Sequence, residues 1–281
     1  MVLVAIVGAG DIGAAAARAL AIRSRVDVVR LIDEKTSIAA GKALDLLQAG
    51  PVRGSDTRIE SVADLGGASG AAAIILADPI GSTEWSGESG LGALRRLQTS
   101  GCLEQSVLIF AGAGQRALMQ QGFDELGLPR RRVIGSAPEA LAATARALVA
   151  IEARAASHQV TLAVIGNPPD RMAIPWAEAS IGGTSMSSML TAAQIHQLER
   201  RVRGLWPPGP SALGTAAALL SEAAVAGSRR LFSVFVSLDR DNGTKAPVCA
   251  WPISIGPTGL ERIAAPALTG RDRVVVDEVL E

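Results

Sequence analysis

The chain has 281 residues, 48% of them apolar, enough for one large or two modest domains around a sizeable core. Its 27 basic and 27 acidic residues cancel, which points away from nucleic acid and anionic membrane surfaces, and no apolar run approaches the length that spans a bilayer. Cys102 and Cys249 are the only cysteines and suggest neither a disulfide framework nor a metal site; with no basic leader ahead of the first apolar run, a cytoplasmic protein with reduced thiols is expected.

The apolar run 2–7 reads as a buried strand. It leads directly into Gly8-Ala9-Gly10-Asp11-Ile12-Gly13, then an Ala-rich helical pattern, then a second apolar run ending at Asp33. Each part has a mechanical reason. Gly8 permits a tight turn, Gly10 lets a pyrophosphate approach the backbone, and Gly13 lets the helix pack closely on the strand. The helix start offers free N–H groups and positive dipole charge to phosphates. Asp33 lies 20 residues after Gly13, where a carboxylate can accept hydrogen bonds from a ribose diol and favour NAD over NADP. Strand, glycine turn, helix and acid together give the motif the context a dinucleotide site requires. The competing reading is a turn of this type that has lost its cofactor.

Segment 37–49 reads as a helix closed by Gly50-Pro51. Next come a short strand over 57–61, a buried strand over 71–77, a Gly- and Ser-rich loop over 78–90 and a helix over 91–99. A buried strand over 106–111, a helix over 116–126 and a short strand over 132–134 complete the first half. Strands alternating with helices predict a parallel sheet with right-handed crossovers. Segment 138–156 is helical throughout and joins the halves; 159–165 reads as a strand, and 166–175, with three prolines, as a loop. An amphipathic helix over 192–204 carries Arg200, Arg201 and Arg203 on its polar side and is broken by Pro207-Pro208-Gly209-Pro210. An Ala-rich helix over 211–226 follows, then strands over 230–238 and 248–255, a hairpin whose fairly long loop contains Asn242-Gly243. The expected fold class is α/β, a Rossmann-type parallel sheet over 1–137 followed by an α+β domain over 138–281.

Several segments then carry a resemblance. GAGDIG at 8–13, the acid Asp33, GKALDL at 41–46, RVIG at 132–135, a strand running into Gly166, Ile174-Pro175, WPISIG at 251–256 and GLERI at 259–263 occur in order along the whole chain. With them the chain resembles the lactate/malate dehydrogenase family, and most of all its malate dehydrogenase-like branch. GKALDL is the most specific of these segments. The resemblance implies an NAD-binding domain, a substrate domain, a homodimer or homotetramer, and hydride transfer between NAD(H) and a small 2-hydroxy or 2-oxo acid. It carries cofactor binding to Gly8, Gly10, Asp11, Ile12, Gly13 and Asp33, and to Ala77 and Asp78 where the 71–77 strand ends.

The family's chemical groups do not follow. Asn167, in Ile165-Gly166-Asn167-Pro168-Pro169-Asp170, stands at the position of the acid/base histidine; an amide donates a hydrogen bond but does not titrate near neutral pH. Leu141 replaces the aspartate that orients that histidine, Thr144 replaces the arginine that clamps the substrate carboxylate, and Arg146 matches a different family position. The mobile loop, here 78–87, has no arginine, and Ala113 stands where an asparagine positions the substrate. A proton shuttle and a bidentate anion clamp are both missing, so malate or lactate turnover is expected near background. Asp170 and Arg171 are the candidates for a substituted acid/base, against a solvated-loop reading. Glu84 and Trp85 could define a different ligand, or Trp85 could pack down as a fixed lid; His158 and His196 read as surface residues, and no metal site is expected. Three readings stay open. The first is a scaffold that binds NAD without standard activity. The second is an active NAD-dependent oxidoreductase with a changed substrate. The third is a structural or interaction paralogue that binds no nucleotide, with side chains filling the glycine turn.

Overall fold

The computed structural model describes residues 1–239 and 245–280. The first half runs β1 (Leu3–Val7), α1 (Asp11–Arg23), β2 (Val28–Ile32), α2 (Thr36–Arg53), β3 (Arg58–Val62), β4 (Ala73–Leu76), α3 (Gly87–Thr99), β5 (Val107–Phe110), α4 (Arg116–Glu125) and β6 (Val133–Gly135). All six strands pair in parallel, in the order β3-β2-β1-β4-β5-β6. Strands covered on both faces read as unbroken apolar runs, and β1, β4 and β5 are buried at every position. Successive strands are added in one direction from β1 to β3 and in the other from β4 to β6, which leaves a crevice at the carboxyl ends of β1 and β4. Val7 lies opposite Leu76, so Gly8 and Ala77 leave the sheet side by side.

The second half runs α5 (Ala137–Ala153), β7 (Val160–Thr161), β8 (Ile165–Asn167), β9 (Arg171–Ala173), β10 (Ser180–Ile181), β11 (Thr184–Ser185), α6 (Met186–Met189) and α7 (Ala192–Arg203). Then come α8 (Pro210–Ala226), β12 (Phe232–Asp239), β13 (Lys245–Gly256), β14 (Gly259–Ile263) and α9 (Gly270–Leu280). The main sheet does not stop at β6. β12 joins it antiparallel, with Phe235 opposite Gly135, and β13, β8 and β9 follow, with β14 also on β13. A small separate sheet has the order β11-β10-β7. The larger core holds the first-half strands together with residues of α8, β12 and β13; the smaller one, from Leu141 to Val202, lies between α5, α7 and the small sheet.

Three expectations are corrected. The helix over 37–49 does not end at Gly50-Pro51: α2 runs through Pro51 to Arg53. Proline accepts helical backbone angles and removes one hydrogen bond near the helix end, and Gly54, at φ 69°, makes the actual stop. The run 159–165 is not one strand. Val160–Thr161 belongs to the small sheet and Ile165–Asn167 to the main one, so the apolar stretch crosses between layers. Segment 166–175 is not simply a loop: β8 and β9 form a hairpin about Pro168, Pro169 and Asp170, prolines lying at the turn where they disrupt no ladder. Asn242 and Gly243 lie outside the described residues.

α8 lies on α1 across Gly214, where a Cβ would stand 2.5 Å from the Ile12 carbonyl oxygen. Arg23 at the end of α1 closes the contact with an ion pair of 2.6 Å to the buried Glu222 of α8. Both cysteines are free and buried. Burial pushes the Cys102 thiol up, with Asp64 adding to the shift, and pushes Cys249 up to about 12 despite the opposing charge of Arg116. Since the thiolate is the nucleophile, a thiol reagent at pH 8 finds neither group in the native protein and both after denaturation; a thiol titrating fast in the folded chain would contradict this burial. Among the described residues no helix is long and apolar enough to cross a membrane.

Candidate functional site

At the crevice the glycine turn leaving β1 meets the segment leaving β4. Gly8 has φ +98°, and a Cβ there would stand 2.6 Å from the Asp78 carbonyl group. The Gly10 N–H donates to the Asp78 carbonyl oxygen at 2.7 Å. Asp78 then turns its side chain onto the start of α1. Its Oδ2 accepts from the Asp11 N–H at 2.8 Å, and its Oδ1 accepts from the Ile12 and Gly13 N–H groups at 3.0 and 3.1 Å. These are the helix-start donors that lack intrahelical partners and face an anion in sites of this kind. Gly10 precedes α1 and has no side chain to cap it. Asp78, 8% exposed, supplies the cap from the segment after β4. A side chain on Gly10 would run into that carboxylate.

Asp33 is buried beside it. Its Oδ2 accepts from the Ala9 and Ile80 N–H groups at 3.0 and 2.9 Å, and its Oδ1 from the Lys35 N–H at 3.0 Å. Three of the roughly four acceptor positions of this carboxylate are therefore taken by backbone. Lys42 of GKALDL reaches across to donate from Nζ to the Ala9 and Gly10 carbonyl oxygens at 2.6 and 3.2 Å. That contact gives the segment a structural reason to sit at its distance from the glycine turn. Ala77 is buried, its N–H on the Val7 carbonyl and its own carbonyl accepting from Gln115 Nε2. A cavity of about 200 Å³ adjoins these groups, lined among others by Ile32, Asp33, Lys35, Leu65, Ile80 and Trp85.

The loop that follows β4 is held down at its far end too. Glu84 accepts from the Ala113 N–H at 3.0 Å through Oε1 and from the Gly114 N–H at 2.7 Å through Oε2. Gln115, fully buried, accepts from the Gly112 N–H at 2.9 Å and ties the ends of β5 and β4 together. Trp85 is half-buried against the main core, with its indole N–H enclosed and without a protein partner.

The residues that the resemblance set at the substrate positions, and Arg146 near them, make the following contacts. Leu141 is buried in the smaller core. The Thr144 hydroxyl donates to the Ala140 carbonyl at 3.0 Å, one turn back in its own helix. Arg146 is bound at 2.6 Å to Glu139, a 2% exposed carboxylate that also accepts from Arg230 at 3.0 Å and from the Ser233 N–H at 2.9 Å. In its satisfied orientation the Asn167 amide donates to the Val248 and Gly166 carbonyl oxygens at 3.3 and 3.2 Å. Asp170 and Arg171 are exposed; Arg171 donates to the Glu278 carbonyl in α9 at 3.5 Å. Arg203, which the sequence reading placed on a polar helix face, holds the carbonyl oxygens of Pro169, Asp170 and Met172. His158 and His196 are both exposed, and among the described residues no cluster of three or more His, Cys, Asp or Glu could hold a metal ion.

The structure thus brings Gly8, Gly10, Asp11, Ile12, Gly13, Asp33, Ala77 and Asp78 to one place, while Asn167, Asp170 and Arg171 lie on or beside the β8–β9 hairpin. Gln115 and Glu139 escaped the sequence reading, as did the contacts of Lys42 within GKALDL and of Arg203 on its helix face; each bonds residues distant in sequence.

No family model matches the chain. The malate dehydrogenase of Thermomicrobium roseum is 28% identical over 290 residues, covering 97% of this chain and 93% of that protein. The malate dehydrogenase of Rhodopirellula baltica is 26% identical over 286 residues, covering 96% and 91%. Among solved structures, the malate dehydrogenase from Aeropyrum pernix superposes with a TM-score of 0.86 at 21% identity, covering 99% of this chain and 94% of that one. The lactate dehydrogenase of Cryptosporidium parvum, solved with lactic acid and nicotinamide adenine dinucleotide, gives 0.84 at 22% identity with the same coverage.

Proposed function

We propose, for a chain related to the malate dehydrogenases over nearly its whole length and folded as lactate and malate dehydrogenases are, that it works as a scaffold without malate or lactate dehydrogenase turnover. One observation carries this reading: the positions that should move a proton and grip a carboxylate are spent on holding the fold. Asn167 bonds two backbone carbonyls, Thr144 bonds its own helix and Leu141 fills a core, while the nearby Arg146, at a different position, is itself ion-paired to Glu139. Positioning and electrostatic groups of this kind contribute about one to three orders of magnitude in rate each. Their joint absence leaves hydride transfer to a 2-oxo acid near the uncatalysed level. The glycine turn and Asp33 keep the frame of a dinucleotide site, and NAD(H) is the dinucleotide that an acid at this position selects.

The test is oxidation of NADH followed by absorbance with oxaloacetate, pyruvate and a panel of longer and branched 2-oxo acids. No rate above the protein-free blank is expected; a saturable rate with any of them would overturn the reading in favour of an altered-substrate oxidoreductase.

The partner we assign is a second copy of the chain. Ile38, Leu44 and Leu47 of α2 are 48, 54 and 43% exposed, and Ile22 of α1 is 56% exposed. Large apolar groups concentrated on two neighbouring helices are a common mark of a covered surface. Light scattering is expected to give a dimer or tetramer, and a monomer at all accessible concentrations would count against it. Two buried, unpaired thiols fit a reducing compartment, the cytoplasm.

A further inference from the structure

We infer that Asp78 is a built-in anion which keeps the dinucleotide cradle shut, so that the resting chain does not bind NAD(H). A dinucleotide docks by laying its pyrophosphate on the free N–H groups at the start of the first helix. Here Asp11, Ile12 and Gly13 already give those groups to the Asp78 carboxylate, at 2.8 to 3.1 Å. The glycine motif does not argue otherwise. The space that a side chain on Gly10 would need is filled by the Asp78 carboxylate, so a carboxylate explains the glycine as well as a pyrophosphate would.

Charge works in the same direction. The helix start presents about half a positive charge, and a full negative one already sits on it. A pyrophosphate arriving there would meet a carboxylate at contact distance, in a buried place where repulsion is weakly screened. The Lys42 ammonium is held on the Ala9 and Gly10 carbonyls.

Nor is the segment free to withdraw as a unit. Three bonds on the Asp78 side chain, the Ile80 N–H on Asp33 and the Glu84 carboxylate on Ala113 and Gly114 fasten it along its length. The implied cofactor therefore does not fit the residues as they stand. The inference concerns binding and does not depend on the loss of turnover.

The experiment is calorimetric titration of the full chain with NADH at neutral pH, alongside Asp78→Gly and Asp78→Asn, with circular dichroism and a melting curve confirming that each is folded. The wild type is expected to give no heat up to millimolar NADH. Asp78→Gly frees the three donors and removes the charge, and is expected to bind at least about a hundredfold tighter. Asp78→Asn keeps the shape without the charge and is expected to gain about tenfold; it decides the matter if Asp78→Gly does not fold. Micromolar binding by the wild type overturns the inference, and so does a folded variant that binds no better. The variant that binds NADH is then given the 2-oxo acid panel. Turnover there would sink the non-catalytic reading while leaving Asp78 as the plug; NADH binding without turnover upholds both.

Discussion

Glu139→Ala lowers the unfolding free energy by about 3–5 kcal/mol, the range for removing one partner of a buried ion pair. The carboxylate is 2% exposed and serves three donors from three places: Arg146 within α5, Arg230 ahead of β12 and the Ser233 N–H inside β12. Alanine leaves the Arg146 guanidinium, 15% exposed, without its counter-charge, and leaves the Ser233 N–H buried without an acceptor. Arg230 is half in water, so Arg230→Ala costs only about 0–1 kcal/mol. Urea denaturation reads the difference as a lower midpoint at unchanged slope. Equal, small losses for the two variants would mean that Glu139 does not bind α5 to β12.

Asp78→Ala is the second large effect, a loss of about 1–3 kcal/mol. Ordinary N-cap replacements fall near the lower end of that range. The upper end applies because Ile12 and Gly13 are buried, so water has poor access to the N–H groups that Asp78 leaves behind. Asp78→Asn retains an acceptor and loses less. This measurement needs no nucleotide and stands apart from the binding titration. A melting temperature unchanged in Asp78→Ala would mean that the carboxylate does not hold the start of α1.

Much of the first half was legible because its signals are local. An apolar run of strand length, a glycine turn and an Ala-rich stretch each dictate their own conformation, and their alternation leaves a parallel sheet as the consistent arrangement. The meeting of Gly8, Gly10, Gly13 and Asp33 at one crevice follows from that order. The role of Asp78 was not legible in the same way. The bond from the Asp11 N–H to Asp78 spans 67 residues, and nothing within β4, which ends at Leu76, says which way the side chain two residues further on turns. A signal was there in outline: an acid placed directly after a fully buried strand must face either solvent or an unpaired donor, and this strand ends beside a helix start. One side chain, that of Asp78, occupies the glycine turn. The failures at 159–165 and 166–175 share another cause. Alternation and apolarity mark extended chain but do not say which sheet it joins, and in a few residues this segment leaves one sheet for the other.

The contact between α1 and α8 bears on how the chain comes to be made. Arg23 and Glu222 are 199 residues apart in sequence, and the face of α1 that Gly214 approaches is covered only once α8 exists. During synthesis the parallel sheet emerges first, with one of its helices bare on the outward side. Contacts of such long sequence separation close late and slowly, because the loop entropy is spent before the contact returns anything. Until then the chain carries an apolar helix face and an open sheet edge at β6, the two surfaces that nascent chains most readily lend to the wrong neighbour. The last third of the chain therefore covers the first third, and the outward face of α1 stays bare until α8, which ends at Ala226, has been made.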